Sequence, residues 1–321
     1  MARRAALLRW TGRGNASSLR SSVQHVLKER RVAGEVRAVG GSLAVSGPEP
    51  VGVCSIFENM PGVAWTAAGF EVEGADEVAK ASSSLAASYL KKGTRFSVRA
   101  EGADGLASDL AGAMTSTMLG KVKGARASDE SPSVRFRAAL DGAKGVVGAE
   151  VSSGPGGTPM GEETAVVLVS GGKHSSVLAW DALLLGHRVT LVHAATGEAS
   201  LRAVARLYSE LSNRGDPRGL ALAVLDGGTV AGTLSKFVAQ CADQVHGGFT
   251  AERPVPGCLG RNVQAPLWMM PEEEFDRQFG PMRLRSHEEL ADWGGPSAGR
   301  YTQRTFGGRI ADVNGVLDGL R

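Results

Sequence analysis

Cysteine is scarce in this chain. Cys54, Cys241 and Cys258 are its three cysteines among 321 residues. They are too few and too unevenly spread for a disulfide framework or a self-contained zinc site, and at most two of them form a redox pair. Long apolar runs are also missing: no stretch approaches the eighteen or so consecutive apolar residues needed to span a bilayer, which excludes a helical membrane protein. The early run Ala5-Ala6-Leu7-Leu8 stops at Arg9, too soon for a signal-peptide core, and reads instead as a first strand. A large excess of one charge is absent too, with 36 Lys and Arg against 33 Asp and Glu. A soluble, cytoplasmic protein with no membrane partner is expected. Its length exceeds what one core usually fills, so two or three domains are expected as well.

The near balance of charge hides an uneven distribution. Residues 1–40 carry nine Lys or Arg against Glu29 and Glu35, whereas the chain after Gly161 is slightly acidic. A basic front half suits a polyanionic partner, and solvated Lys and Arg on helix faces are the plainer explanation.

What the chain does possess is a phosphate-binding layout. Ala165–Val169 reads as a buried parallel strand, Ser170-Gly171-Gly172-Lys173-His174-Ser175 as a turn, and Ser176–Leu185 as the helix that follows. Glycines let the backbone turn sharply and aim N–H groups at an anion. The helix N-terminus adds about half a positive charge, and the Ser170 and Ser175 hydroxyls add donors. An ordinary strand-to-helix turn also accommodates Gly-Gly and Ser, so the loop alone leaves both readings open. Just upstream, Gly154-Pro155-Gly156-Gly157-Thr158-Pro159-Met160-Gly161 is too rich in Gly and Pro for a helix or central strand and reads as a linker.

That linker, followed by an apolar strand and Ser-Gly-Gly-x-x-Ser, resembles the tRNA 4-thiouridine synthetase (tRNA sulfurtransferase) family. The resemblance implies an α/β protein in which a ferredoxin-like domain (1–69) and a THUMP domain (70–153) precede a PP-loop ATP pyrophosphatase domain (162–321), a parallel sheet of the adenine nucleotide alpha hydrolase type. It implies ATP bound at Ser170, Gly171, Gly172, Lys173, His174 and Ser175, with Mg²⁺, a hard ion that prefers oxygen ligands. A tRNA uridine oxygen would attack the α-phosphorus and release pyrophosphate, and sulfur would then displace AMP. The family loop reads Ser-Gly-Gly-x-Asp-Ser, and here His174 stands in place of the Asp. An imidazole cannot replace that carboxylate as a hard-metal ligand; with Lys173 it would instead pair with phosphate directly.

Other positions follow from the same resemblance. His193-Ala194, at the end of the second strand, resembles the shelf beside adenine, with a helix-capping or surface histidine as the other reading. Sulfur chemistry in the family uses a cysteine of the PP-loop domain, which points to Cys258 in Pro254–Gly260 and to Cys241. The latter also reads as a small buried residue on an amphipathic helix. No counterpart of the family's second glycine motif is evident at Gly247-Gly248-Phe249. Pro266-Leu267-Trp268, followed by Glu272-Glu273-Glu274, resembles the family's late Pro-Leu segment without its lysine. Residues 283–321 carry no reading.

The front half fits the implied domains. Ala5–Trp10 as a strand, a helical face of Leu19, Val23, Val26 and Leu27, strands 36–39 and 42–45 around Gly40-Gly41, a helix from 51 to 59 and a strand at 63–67 give the order of a ferredoxin-like unit. Gly12-Arg13-Gly14-Asn15 partly matches a turn common in the family. Then follow helices at 75–90 and 106–119 and strands at 94–100, 133–138 and 145–151. Alternation puts Arg95, Ser97 and Arg99 on one strand face and Arg135 with Arg137 on another, and Lys121, Lys123 and Arg126 form a basic turn. Guanidinium rows of this kind track phosphates along folded RNA, and equally suit a sheet with one solvated face. The back half alternates strand 188–193, helix 200–211, strand 220–225 and helix 233–245, as a parallel sheet requires.

Two functions remain in view. One is an ATP-dependent tRNA sulfurtransferase whose partners are tRNA, a persulfide-donating protein and a second copy of the chain in a homodimer. The other is a THUMP-bearing RNA-binding protein whose altered PP-loop domain serves as a scaffold. An adenylating enzyme for a substrate other than tRNA would leave the basic front half unexplained.

Overall fold

The computed structural model describes residues 3–102, 106–195, 197–226, 229–241, 245–249, 263–267, 270–271, 273–275 and 302–307, with Val255 and Leu259. They divide into two compact units, residues 1–159 and 160–321.

The first unit contains β1 (Arg4–Trp10), α1 (Ala16–Glu29), β2 (Glu35–Val39), β3 (Ser42–Ser46), α2 (Pro50–Phe57), β4 (Val63–Glu73), α3 (Gly74–Tyr89), β5 (Arg95–Glu101), α4 (Leu106–Lys121), β6 (Arg126–Ala127), β7 (Val134–Asp141) and β8 (Lys144–Gly156). Its strands form one sheet in the order β2-β3-β1-β4-β8-β7-β5-β6. Local sequence accounts for the elements. Asn15 caps α1 by accepting the Ser17 amide at 2.9 Å, and Leu19, Val23, Val26 and Leu27 bury its apolar stripe. Gly40 and Gly41 both take positive φ, the geometry of a tight hairpin turn that β2 and β3 require.

Helices cover one face of this sheet. α1 and α2 pack on Ala6, Leu8, Leu43, Val45 and Ala68. α3 and α4 pack on Phe96, Phe136, Val147 and Ala149. Ala68 lies opposite Ala149 in the β4–β8 ladder, which places both groups on the same side. The other face carries small residues, Ala5, Ala44, Ala67 and Ala139 among them, buried with Leu7, Val39, Trp65 and Val146. With so little bulk there the sheet curls onto itself: Arg9 and Ser42 both reach Glu101, and Arg37 reaches the Gly145 carbonyl at 3.4 Å. This corrects the expectation of a solvated face at Ser97 and Arg137, whereas Arg95 and Arg99 are exposed. Ser97 is buried, and the Arg137 side chain is only 12% exposed.

Two boundaries also differ. β4 runs from 63 to 73, pairing with β1 on one side and β8 on the other, through the position where the chain pattern changes near residue 70. The Gly-Pro segment is not wholly a linker, since β8 continues to Gly156, which pairs with Val63. Here β8 has β4 on one side only and an irregular register, so Pro155 forfeits no ladder bond.

The second unit comprises β9 (Thr164–Leu168), α5 (Lys173–Leu184), β10 (Arg188–Ala194), α6 (Glu198–Arg214), β11 (Leu220–Asp226), α7 (Val230–Gln240), β12 (Val245–Gly247), β13 (Val263–Gln264) and β14 (Thr302–Gly307), in the sheet order β13-β12-β9-β10-β11-β14. Alternate residues of the central strands feed two cores. Ala165, Val167, Leu191 and Leu222 pack under α5 and α6. Val166, Leu168, Val192 and Ala223 pack under α7. Strands buried on both faces explain why they read as continuous apolar runs. The last expected helix stops at Gln240, and Val245 belongs instead to β12, opposite Val166. Within the tail that carried no reading, β14 adds an antiparallel strand beside β11.

Candidate functional site

The chain leaves β9 for β10 and β11 on one side and returns to β12 on the other. Such a reversal opens a crevice at the carboxyl ends of the two strands that flank it, where α/β sheets bind ligands. Ser170–Ser175 follows β9, and Gly247-Gly248-Phe249 ends β12. Both therefore meet at this crevice.

The loop is built from short-range contacts. Gly171 has φ of +86°, and a Cβ there would lie 2.9 Å from the Ala203 Cβ of α6. Gly172 caps α5, its carbonyl accepting the Ser175 and Ser176 hydroxyls at 3.1 and 2.9 Å. The Ser170 amide donates to the Ser175 hydroxyl and the Gly172 amide to the Ser170 hydroxyl, both at 3.4 Å. Bonds of that length are weak, so these amides are readily surrendered to a better acceptor. The positive end of α5 favours an anionic one.

Two residues that sequence patterns did not single out complete the first turn of α5. Gly248 lies directly against it: a Cβ at that position would come 2.7 Å from the Ser175 amide nitrogen and 2.9 Å from the His174 carbonyl carbon. On the same turn, the His174 ring packs on Phe275 at 4.4 Å between centroids, tilted by 47°. The Lys173 ammonium sits over the same Phe275 ring at 5.5 Å. Phe275 is buried with Val177 and Leu267, so the late Pro-Leu segment does reach the loop.

His193 was read either as part of a shelf beside the base or as a helix-capping or surface histidine, and its ring is buried. It is 3% exposed and donates from Nδ1 to the Val169 carbonyl at 2.9 Å. The Ser200 hydroxyl stands 3.2 Å from Nε2 and 2.9 Å from the Gly197 carbonyl, shared between two acceptors. Burial holds the imidazole below its ordinary pKa, the Val169 bond opposing this in part. His193 is thus a neutral ring tying the loop entry to α6, and its neighbour Ala194 is buried. Any ligand contact at these positions would have to run through backbone atoms.

Of the cysteines, Cys258 lies outside the described residues. Cys241 is half-buried at the end of α7, and Cys54 is buried beside Thr66, its thiol pushed up to about 12 chiefly by burial. A thiol in that state is inert.

In the first unit the basic residues separate into two kinds. Arg137 forms a buried pair with Glu150 (2.7 Å from Nε) and stacks 4.7 Å over Trp65, while Arg135 reaches the same carboxylate at 3.7 Å. Arg137 is therefore committed to the fold. Arg95, Arg99, Lys121, Lys123 and Arg126 are exposed, with no carboxylate partner among the described residues. Arg95 and Arg126 are register partners, and the Gly93 amide donates to the Gly124 carbonyl at 2.8 Å. That contact sets the turn holding Lys91 and Lys92 beside the turn of Lys121 and Lys123. The signal for Lys91 and Lys92 was tertiary, since thirty residues of sequence separate the two turns. Arg99 stands apart, at a groove of about 470 Å³ shared with Trp65, Glu101 and Arg137.

No helix among the described residues is long and apolar enough to cross a membrane. No protein-family model and no curated protein matches the chain. Solved structures do. PH1313 from Pyrococcus horikoshii OT3 superposes with a TM-score of 0.68 at 16% identity, covering 87% of this chain and 99% of that one. A 4-thiouridine synthetase solved in complex with RNA and with bound ATP superposes with a TM-score of 0.67 at 16% identity, covering 99% of this chain and 94% of that one. At such identity the likeness is one of fold, and the fold is the one expected: a ferredoxin-like and THUMP front half followed by a PP-loop parallel-sheet unit.

Proposed function

We propose that the chain binds tRNA through residues 1–159 and ATP at Ser170–Ser175, and that it adenylates a tRNA uridine for 4-thiolation. The observation that carries this reading is the position of the Ser-Gly-Gly loop at the reversal point of the sheet, in a fold shared along 99% of the chain with a synthetase solved with RNA and ATP. The exposed cations Lys91, Lys92, Arg95, Lys121, Lys123 and Arg126, with Arg99, supply the charge for a polyanion.

The residues at the crevice fit a triphosphate. Backbone amides of Ser170 and Gly172 trade their long hydroxyl bonds for phosphate oxygens, Lys173 supplies positive charge, His174 offers a ring N–H donor, and Gly248 leaves room beside the first turn. They do not fit Mg²⁺ in the same way. Described residues of the loop offer no carboxylate, and among the described residues no three His, Cys, Asp or Glu gather in a metal-binding group. No step is therefore assigned to the ion. Sulfur for the second half would come through Cys258 or from a persulfide donor, Cys241 being half-buried.

The experiment is tRNA-dependent pyrophosphate release from ATP by the wild-type chain and by His174→Asp, with mass spectrometry of tRNA nucleosides from cells with and without the gene. Release by the wild type, lowered by the substitution, supports an enzyme that uses His174. A second reading, an RNA-binding protein with a PP-loop scaffold, draws on the placement of His174 against Phe275 where the family has a carboxylate. No tRNA-dependent release from either form would favour it.

A further inference from the structure

We infer that Phe275 is a positioning residue for the phosphate loop, holding the Lys173 and His174 side chains in place before the nucleotide arrives; the inference rests on the nucleotide site proposed above. Phe275 comes from a helical turn about a hundred residues further along the chain, yet it is 3% exposed and its ring meets both loop side chains, His174 at 4.4 Å and Lys173 at 5.5 Å. The turn is anchored twice. The Phe275 amide donates to the Pro271 carbonyl at 2.9 Å and the Met270 amide to Leu267 at 3.1 Å, while Val177, Leu267 and Met270 pack around the ring.

The chemistry of the contact is specific to an aromatic face. The negative face of a benzene ring attracts an ammonium or an imidazolium, and imidazole also stacks on it when neutral. Lysine carries among the largest rotamer entropies of any side chain, and a loop lysine free in solvent would surrender that entropy on binding phosphate. Packed on Phe275, Lys173 and His174 lose part of it during folding instead. Gly248 bounds the same helical turn, so the turn that carries both side chains is confined by the segment leaving β12 as well as by Phe275. A leucine at 275 would preserve the apolar packing with Val177 and Leu267 and remove only the aromatic face.

The test compares Phe275→Leu and Phe275→Tyr with the wild type in the full chain. Affinities for ATP, pyrophosphate and adenosine are measured by calorimetry. The ring-proton signal of His174, assigned through its loss in His174→Gln, is followed by NMR of histidine-labelled protein without ligand. In Phe275→Leu the His174 signal should lose its ring-current displacement, and ATP and pyrophosphate should bind about five- to thirtyfold more weakly, the scale of immobilising two side chains. Adenosine affinity should not change, and Phe275→Tyr should behave as the wild type. A merely structural role would instead lower the melting temperature and weaken all three ligands alike, which would overturn the inference. So would a His174 signal, or an ATP affinity, indifferent to leucine. If the wild type binds neither ATP nor pyrophosphate, the nucleotide reading fails; a His174 signal that still moves with Phe275 would uphold the positioning itself.

Discussion

Gly248→Ala is the smallest change that should disable the nucleotide site without touching a side chain of it. A Cβ at 248 would stand 2.7 Å from the Ser175 nitrogen, 2.9 Å from the His174 carbonyl carbon and 3.0 Å from the Ser175 Cα. The shortest of these is about 0.7 Å inside the 3.4 Å at which ordinary contact begins. All three atoms are backbone of one helical turn, so no side chain can swing aside. Either β12 or the first turn of α5 must move. Overpacking of this kind costs about 1–3 kcal/mol, a loss the melting temperature of the chain would register. The larger effect falls on binding. On the proposed reading phosphate would be held by amides whose hydrogen bonds weaken steeply with distance, and a displacement approaching an ångström in a positioned site costs up to about a hundredfold. We expect ATP affinity by calorimetry to drop at least about tenfold in Gly248→Ala. Unchanged affinity would mean that the anion does not sit on this turn and that the crevice beside β9 is not its site.

Two further outcomes are expected. Arg95→Ala with Arg99→Ala should weaken tRNA binding by residues 1–159 and flatten its salt dependence by somewhat under one log unit per lost phosphate contact, with folding unaffected. Arg137→Ala should do the reverse, destabilising the first unit by about 3 kcal/mol because Glu150 and Trp65 lose a buried partner; equal effects of the two changes on salt slope would refute the division. Burial holds His193 below its ordinary 6.5, so the unfolded chain takes up that proton first as pH falls. The stabilisation is full above about 6.5 and is lost as pH drops through the folded value. His193→Gln should therefore lose less thermal stability than the wild type between about pH 7.5 and about pH 5, and identical pH slopes would contradict a buried neutral ring.

Much of the fold was legible because its signals are local. The period-four stripe of Leu19, Val23 and Leu27, the Gly40-Gly41 hairpin and the apolar run from Ala165 each depend on neighbours within one element. The turn at Ser170–Ser175 was legible for the same reason, as one turn between one strand and one helix. Where the reading departed from the structure, the deciding interaction was distant. Alternation correctly grouped Arg135 with Arg137, but whether that face meets water depends on the curl of the sheet, which follows from alanines on four different strands. His193 stands at the strand end the pattern assigned to it. Its ring, however, is claimed by Val169 and Ser200, contacts that no spacing encodes.

The same reasoning bears on His174. Within the resembled motif it stands where the family pattern has a carboxylate. In the fold, it is one of two loop side chains packed on the Phe275 ring, with Gly248 against the same turn. A Cβ at position 248 would meet the backbone of that turn at 2.7 Å, so the turn as it stands depends on glycine there. Gly248 and the Phe275 platform thus bound the first turn of α5 from two sides, and on the proposed nucleotide reading Lys173 and His174 would meet the phosphates there in a loop without a carboxylate.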